Sequence, residues 1–211
     1  MASGEMALGT ADAQPRLADS VLVEQCRRGD AQAFARLVAL HEGMVYNLAV
    51  RLLGDPEEAR DVAQEVFLQV YRTLGRFEGR SSLKTWIYRI VVNSSHNRRR
   101  WWRRRRRDQA LALEEMTPSD EARMAEAGAR QDGPHEQLVR RERSAWVQAA
   151  LSALSFDHRA ILLLREVEEL SCEEIAESLV LPVGTVKSRL ARARESLRRS
   201  MLAQGAVGVR S

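Results

Sequence analysis

The 211-residue chain has little of several features that define common protein classes. Its two cysteines, Cys26 and Cys172, lie far apart and form neither a Cys-x-x-Cys pair nor a disulfide framework. Its four histidines have no carboxylate or thiol neighbours at metal-ligand spacing, so we expect no bound metal. The longest uninterrupted apolar stretch, residues 160–164, is far shorter than the roughly 20 residues that cross a bilayer. Residues 1–20 carry no early basic cluster and no apolar segment. We therefore expect no secretory signal, no membrane insertion and a cytoplasmic location.

Catalytic motifs are also missing. The chain has no Gly-rich phosphate loop with its lysine, no G-x-S-x-G, no H-E-x-x-H and no Cys/His nucleophile arrangement. These absences indicate a protein that is not an enzyme, with no cofactor and no small-molecule substrate.

Positive charge is concentrated in one short segment. The chain has 33 basic and 29 acidic residues, a net charge of +4, and residues 98–107 hold eight of the arginines beside Trp101 and Trp102. Without those eight, 25 basic residues face 29 acidic ones, so the remainder is slightly acidic. Such a block attracts phosphate, either of nucleic acid or of an anionic membrane, and the tryptophans can add stacking or cation–π contacts. The alternative is a solvated helix end whose charge only aids solubility.

Helical periodicity runs through the chain and predicts an all-α protein. In the first half, a helix capped by Asp19 or Ser20 ends at Arg28, and residues 54–56 separate the next two helices. A polar loop then leads to a fourth helix that opens at Ser82. Apolar residues at steps of three and four predict the buried stripes of the second and third helices: Phe34, Leu37, His41, Met44, Leu48 and Leu52, then Val62, Ala63, Val66, Phe67, Val70 and Leu74.

Two polar faces stand out against these stripes. Asp61, Gln64 and Glu65 form an outward ridge on the third helix, which by itself is more typical of an ordinary solvated face than of a binding site. On the fourth helix, Arg89, Asn93 and Asn97 recur every fourth position and therefore share a face that can bind one elongated partner.

The composition divides the chain into two small helical domains joined by a flexible linker. We predict a disordered leader over residues 1–18, a four-helix domain over 19–97, an Arg-rich and then acidic linker over 98–137, a second domain over 138–200 and a tail over 201–211.

The second domain ends in two short helices with a tight turn, which is typical of a DNA-binding helix-turn-helix. Ser155 is predicted to cap a helix, and Ser171 and Glu174 have capping-box spacing. Pro182 lies in the break between the two helices, and the last helix is predicted over 185–201. The alternative is an antiparallel hairpin whose basic face is only solvated. The outward side of the last helix, which would meet a major groove, carries Lys187, Ser188, Ala191, Arg192 and Glu195.

Together these segments resemble a bacterial RNA polymerase sigma factor of the extracytoplasmic-function (ECF, RpoE-like) family. Residues 33–67, which include the run GDPEEARDVAQEVF at 54–67, are similar to the polymerase-binding region of that family, and residues 76–90 (RFEGRSSLKTWIYRI) to its promoter-melting region. Residues 184–194 (GTVKSRLARAR) resemble its recognition helix. Cys172, Val180 and Ala191 depart from the common pattern.

The resemblance implies an alternative sigma factor that directs core RNA polymerase to promoters, in a stress or envelope response. The implied partners are the β′ clamp and β flap of the polymerase, promoter DNA and an anti-sigma factor. The ridge Asp61, Gln64 and Glu65 would dock on the clamp. Implied contacts to the minus-ten element are Phe77, Ser81, Ser82, Trp86, Tyr88, Arg89, Asn93 and Asn97, of which Trp86 and Tyr88 are also candidates for the core. Implied contacts to the minus-thirty-five element are Thr185, Lys187, Ser188, Ala191 and Arg192.

Two other functions remain open at this point. One is a stand-alone helix-turn-helix regulator that binds duplex operators directly. The other is a peripheral membrane protein held by the Arg/Trp run, although no lipid-anchor motif accompanies that run.

Overall fold

A computed structural model describes residues 13–110 and 144–208, and these residues form eight α-helices and no β-strand. The all-α prediction is confirmed. A 3-10 turn (Leu74–Arg76) follows the third helix, and a π-helical turn (Leu163–Val167) follows the sixth. The helices are α1 (Ala13–Arg27), α2 (Ala31–Leu53), α3 (Pro56–Thr73), α4 (Leu83–Ala110), α5 (144–152), α6 (Phe156–Leu162), α7 (Cys172–Leu179) and α8 (Val183–Gly208).

Short polar residues set the helix boundaries in the first half. Asp30 caps α2 by accepting hydrogen bonds from the backbone N–H groups of the first turn. Gly54 ends α2 with a φ of +79°, a left-handed conformation that costs glycine little. Asp55 then caps α3, and Pro56 occupies the first turn, where its missing N–H would have no partner. Ser82 Oγ accepts from Thr85 N at 3.0 Å, which confirms the predicted opening of α4.

The apolar stripes predicted for α2 and α3 pack against the start of α4. Burial of these stripes removes apolar area from water and holds the first half together. Residues with no exposed surface in this core include Leu37, Leu48, Leu52, Val62, Val66, Val70, Leu83, Ile87 and Val91.

The second half has the predicted caps. Ser155 Oγ accepts from His158 N at 3.4 Å. Ser171 and Glu174 form a reciprocal capping box, with Ser171 N donating to Glu174 at 2.8 Å and Glu174 N donating to Ser171 at 3.1 Å. On α8, Val186, Leu190 and Ala193 are buried, and the helix packs against α6 and α7.

Three predicted boundaries are wrong. Helix α1 begins at Ala13 and not at Asp19 or Ser20, because Pro15 suits a first turn and no residue up to Arg27 breaks the helix. Helix α4 continues to Ala110 through the first part of the predicted linker, because arginine is a good helix former and this stretch has neither glycine nor proline. Helix α8 spans Val183–Gly208 rather than 185–201. The rest of the predicted leader (1–12) and linker (111–137), and the start of the second domain (138–143), lie outside the described residues.

The two halves contact each other directly. Arg159, on α6, is only 3% exposed and donates from its guanidinium to the carbonyl oxygens of Leu151 (2.8 Å) and Ser152 (2.9 Å) in its own half. It also donates to the Leu52 carbonyl at the end of α2. Gln148 Nε2 donates to the Arg51 carbonyl there at 3.3 Å. Side chains of the second half therefore satisfy carbonyls that the end of a helix leaves without intrahelical partners.

Candidate polymerase-binding and DNA-binding surfaces

The predicted ridge on α3 lies on one exposed face. Asp61 and Glu65 are 60% and 56% exposed at their side chains, and Gln64 between them is exposed as well. Arg98 of α4 approaches this ridge, with N–O distances of 3.3 Å to Asp61, 3.9 Å to Glu65 and 3.2 Å to Glu58. The ridge is thus accessible to a partner, and one arginine of the basic run already offsets part of its negative charge.

A cavity of about 740 Å³ lies between α1 and the loop that precedes α4. Arg27 anchors this loop by donating from its guanidinium to the Leu74 carbonyl at 3.4 Å and to the Phe77 carbonyl. Phe77 is only 8% exposed and packs on Trp86, with ring centroids 5.3 Å apart. Residues that line the cavity are Ser20, Val23, Arg27, Gly75, Arg76, Phe77, Glu78 and Gly79.

Arg27 lines this cavity and holds its loop in place, and the sequence did not indicate this role. Its partners are backbone carbonyls 47 and 50 positions away, and no local motif indicates such contacts. Ser81 and Ser82, predicted in the same loop, are half-buried. The Ser82 hydroxyl is already engaged as the cap of α4 and lies 2.7 Å from the Thr85 hydroxyl.

The residues of α4 that are predicted to contact DNA fall into two groups that differ in how exposed their side chains are. Asn93 and Asn97 are exposed, and Arg89, half-buried, precedes them on the same face with its Nε buried and without a hydrogen-bond partner. Trp86 is half-buried, and Tyr88 has no exposed surface. The structure therefore brings Arg89, Asn93 and Asn97 together and places Tyr88 in the core.

Tyr88 lies where the second half covers α4. Its hydroxyl donates to Glu168, and Arg51 lies 4.0 Å from the same carboxylate. Burial, together with the hydrogen bond to Glu168, raises the pKa of Tyr88 far above its usual value, so the hydroxyl remains a donor. Ser178 of α7 donates to the Thr85 carbonyl at 3.3 Å in the same interface. In this arrangement Tyr88 is not accessible to nucleic acid.

The outward face of α8 is open. Lys187, Ser188, Ala191 and Arg192 are exposed, and Thr185 is half-buried and accepts a hydrogen bond from Ser188 Oγ at its carbonyl (3.0 Å). Within residues 13–110 and 144–208, neither Lys187 nor Arg192 has an ion-pair partner. Other arginines of α8 do pair within the protein: Arg189 with Asp157 (3.6 Å), Arg194 with Glu166 (2.6 Å) and Arg198 with Glu195 (3.0 Å).

Metal-ligating side chains do not cluster in the described ranges, and no helix there is long and apolar enough to cross a membrane. His41 is half-buried in the first half, and desolvation lowers its pKa. His96 packs on Phe156, with ring centroids 5.1 Å apart. Cys26 and Cys172 are both free thiols.

Two segments of the chain match known protein families. Residues 37–108 match the family described as Sigma-70 region 2, and residues 144–197 match Sigma-70, region 4. The first segment includes α3 and most of α4, and the second includes the helix-turn-helix.

Whole-chain comparisons agree with these matches. The RNA polymerase sigma-H factor of Pseudomonas aeruginosa is 40% identical over 87% of this chain and 93% of its own length. The ECF RNA polymerase sigma factor SigW of Bacillus subtilis is 34% identical, covering 85% and 94%. The ECF RNA polymerase sigma-E factor of Escherichia coli K12 is 35% identical, covering 86% and 93%.

Two solved structures have a similar fold. CnrH, in complex with the cytosolic domain of CnrY, has a TM-score of 0.61 at 26% identity and covers 88% of this chain and 98% of its own. The sigma factor RpoE of Bartonella quintana, in complex with the anti-sigma factor NepR, has a TM-score of 0.62 at 24% identity and covers 81% and 98%. The arrangement of a region 2 domain, an intervening segment and a region 4 helix-turn-helix over almost the full length of these relatives leads to one conclusion: this chain belongs to the ECF family of RNA polymerase sigma factors.

Proposed function

We propose that this alternative sigma factor brings core RNA polymerase to specific promoters and helps to separate the DNA strands there. The observation that carries the proposal is the presence of three exposed polar faces on one chain: the ridge on α3, the Arg89–Asn93–Asn97 face of α4 and the outward face of α8. Each face lies opposite a buried apolar stripe, so its polar residues are not needed for the core. Membership of the ECF family supports a role in a stress or envelope response.

The α4 face is proposed to bind the minus-ten element. Side-chain amides such as those of Asn93 and Asn97 can donate to and accept from base edges, and a cationic Arg89 can hold a phosphate. The cavity beside Phe77 is proposed to receive a base extruded from the duplex. Extrusion costs a few kcal/mol, which edge contacts and stacking inside a pocket can offset. Arg27 is proposed to keep the wall of this pocket in place through its bonds to the loop carbonyls.

The α8 face is proposed to bind the minus-thirty-five element in the major groove. Lys187 and Ser188, near the start of the helix, can reach phosphates or base edges. Arg192 can form a bidentate contact with guanine. Thr185 and Ala191 complete the face as smaller contacts that allow close approach of the helix to the groove.

Protein partners complete the proposal. Asp61, Gln64 and Glu65 are proposed to dock on the β′ clamp of core polymerase, and the second half to contact its β flap. An anti-sigma factor is the proposed regulator, as in the Bartonella complex. The protein is proposed to act in the cytoplasm through binding energy alone, with no reaction catalysed on a substrate.

In vitro transcription with purified core polymerase on a library of genomic promoters tests this function. We expect run-off products from a defined promoter subset only when the protein is present, whereas the free protein should bind duplex weakly and in a salt-sensitive way. Tight, specific duplex binding by the free protein would instead favour the stand-alone regulator. Co-sedimentation with anionic vesicles that is lost in Arg103→Glu with Arg105→Glu, without any effect on transcription, would favour the membrane protein.

Two variants test the assignment of separate faces. Asn93→Ala should reduce permanganate reactivity around the start site more than it reduces closed-complex binding.

Arg192→Ala should weaken binding of the upstream element by about 1 to 3 kcal/mol if the contact is bidentate. Arg198→Ala is the matched control, because Arg198 is also exposed on α8 but pairs with Glu195. An unchanged footprint over the upstream element would remove Arg192 from the interface.

A further inference from the structure

The eight arginines of residues 98–107 are not equivalent. Arg98 pairs with carboxylates of α3, and Arg99 is half-buried with its guanidinium 5.9 Å from the Phe156 ring centroid. Arg105 lies over Trp101, with its guanidinium carbon 5.2 Å from the ring centroid. These three arginines already have partners inside the protein.

Arg100 and Arg104 differ from them. Both side chains are exposed, and neither has an ion-pair partner among the residues that the structure describes. Helix α4 is continuous through this segment, so its geometry fixes where the two side chains project. At about 100° per residue, Asn93, Asn97, Arg100 and Arg104 fall within about 60° of one another on a single stripe.

We propose that Arg100 and Arg104, here called the arginine stripe, bind phosphates of the duplex DNA between the two promoter elements. This inference rests on the proposed function, since it extends the face assigned to the minus-ten element. A rise of about 1.5 Å per residue puts Arg104 about 10 Å beyond Asn97, which is the length of about three base pairs. In sequence order, the end of α4 precedes the half that is assigned to the minus-thirty-five element, and we therefore place the stripe on the upstream side.

Charge and surface shape favour DNA over a membrane as the partner. A helix that lies on a bilayer needs an apolar face that inserts among the lipids. Here Trp101 is 43% exposed with the Arg105 guanidinium over its ring, and Trp102 is half-buried with its Nε1 atom inaccessible to solvent. One partly exposed ring beside exposed arginines does not form such an apolar face. The arginine stripe and the neighbouring Asn93 and Asn97 present guanidinium groups and amides, which match a phosphate backbone beside base edges.

The test compares two double variants that remove equal charge from the full-length protein. The stripe variant is Arg100→Gln with Arg104→Gln, and the matched control is Arg103→Gln with Arg105→Gln, whose side chains lie off the stripe. Each is assembled with core polymerase, and its affinity for a linear promoter fragment is measured at several salt concentrations. Unfolding curves followed by circular dichroism verify that both variants fold as the wild type does.

We expect the stripe variant to bind more weakly at low salt and to show a smaller salt dependence. Each lost phosphate contact lowers the slope of log affinity against log salt by about 0.9, so the two together lower it by about 1.8. Between about 50 and 200 mM salt, the wild type should therefore lose about tenfold more affinity than the stripe variant. The control should retain the wild-type slope. Hydroxyl-radical protection between the two elements should decrease in the stripe variant, and the start site should not move.

Other results would overturn the inference. Equal slopes for the wild type and both variants would mean that the stripe does not contact phosphate. A loss of binding to anionic vesicles in the stripe variant, with unchanged promoter affinity, would assign the stripe to a membrane. Failure of the wild-type protein to direct any promoter-specific transcription would overturn the proposed function as well, and this result is distinguishable because it appears without any substitution.

Discussion

One side of α4 is buried by the protein itself, and another side is open to solvent. The buried side holds Thr85, Tyr88 and Ser95, which are at most 1% exposed; Tyr88 donates a hydrogen bond to Glu168 of the second half, and Ser178 of the second half donates one to the Thr85 carbonyl. The open side holds the exposed Asn93, Asn97, Arg100 and Arg104, which make no hydrogen bond or ion pair with the second half in the part of the chain that the structure describes. The helix that we assign to promoter melting therefore also joins the two halves of the chain, and these two tasks use different faces.

The contact between the halves conflicts with the simultaneous binding of both promoter elements that we propose. Their names place the elements about 25 base pairs apart, or roughly 85 Å at about 3.4 Å per pair. In the structure, Ser178, just before the turn to α8, contacts Thr85, and Asn93 lies only about 12 Å farther along α4. We therefore expect the halves to separate when both elements are bound, and the strength of their interface sets the free energy that this requires.

Removal of Arg159 should have the largest effect on this interface. Arg159→Met leaves buried carbonyls at the end of α2 and in α5 without their charged donor, so we expect a loss of about 2 to 4 kcal/mol in the free energy of unfolding. Burial, and then the nearby Arg99, lower the pKa of Arg159 to about 10, which leaves it charged at neutral pH. Urea denaturation measures the loss, and small-angle X-ray scattering should show a larger radius of gyration. Arg194→Met, which breaks only an exposed pair with Glu166, should cost under about 1 kcal/mol; equal losses would contradict the assignment.

A smaller effect is expected at Tyr88. Tyr88→Phe removes the hydroxyl that Glu168 accepts from, while the ring keeps its packing, so we expect a loss of about 1 kcal/mol. Thermal unfolding at neutral pH measures it. Tyr71→Phe is the control, because Tyr71 is 63% exposed and should change stability very little. If both substitutions have the same effect, the bond across the interface contributes nothing.

A substitution in the turn of the helix-turn-helix should raise the free energy of unfolding by a similar amount. Val180 has a φ of +54°, which is strained for a β-branched residue, and its side chain is 72% exposed. Val180→Gly should therefore stabilise the protein by about 1 kcal/mol. Gly54→Ala is the reverse test, since it introduces a Cβ at a φ of +79° and 3.4 Å from Gln148 Nε2, and it should destabilise. Calorimetric unfolding of both variants should give changes of opposite sign.

The smallest change in stability is expected on the open face. Asn93→Ala should alter the free energy of unfolding by less than about 0.5 kcal/mol, because Asn93 is exposed and alanine is the better helix former. Chemical denaturation measures this, and the same preparation should be deficient in strand opening. A large loss of stability would mean that Asn93 supports the fold, and the contrast between the two sides of α4 would no longer hold.

Much of the local structure could be predicted from the residues. The caps at Ser82 and Ser155 and the capping box at Ser171 each use a side chain within three positions of its partner. The buried stripes follow from apolar spacing along single helices. The ends of α1 and α4 were predicted less well, because good helix formers extend both helices past the boundaries that charge and composition indicated.

The helices, their buried and exposed faces and the family can be predicted from the residues alone, since these depend on neighbours a few positions apart or on recognisable segments. Packing between the helices fixed two contacts that the residues do not indicate: Tyr88 binds Glu168, 80 positions away, and Arg159 binds Leu52, 107 positions away. It also decided which arginines of one run have partners inside the protein and which remain exposed. The physical reason is that packing between distant helices depends on the shape of whole surfaces, which no local spacing specifies.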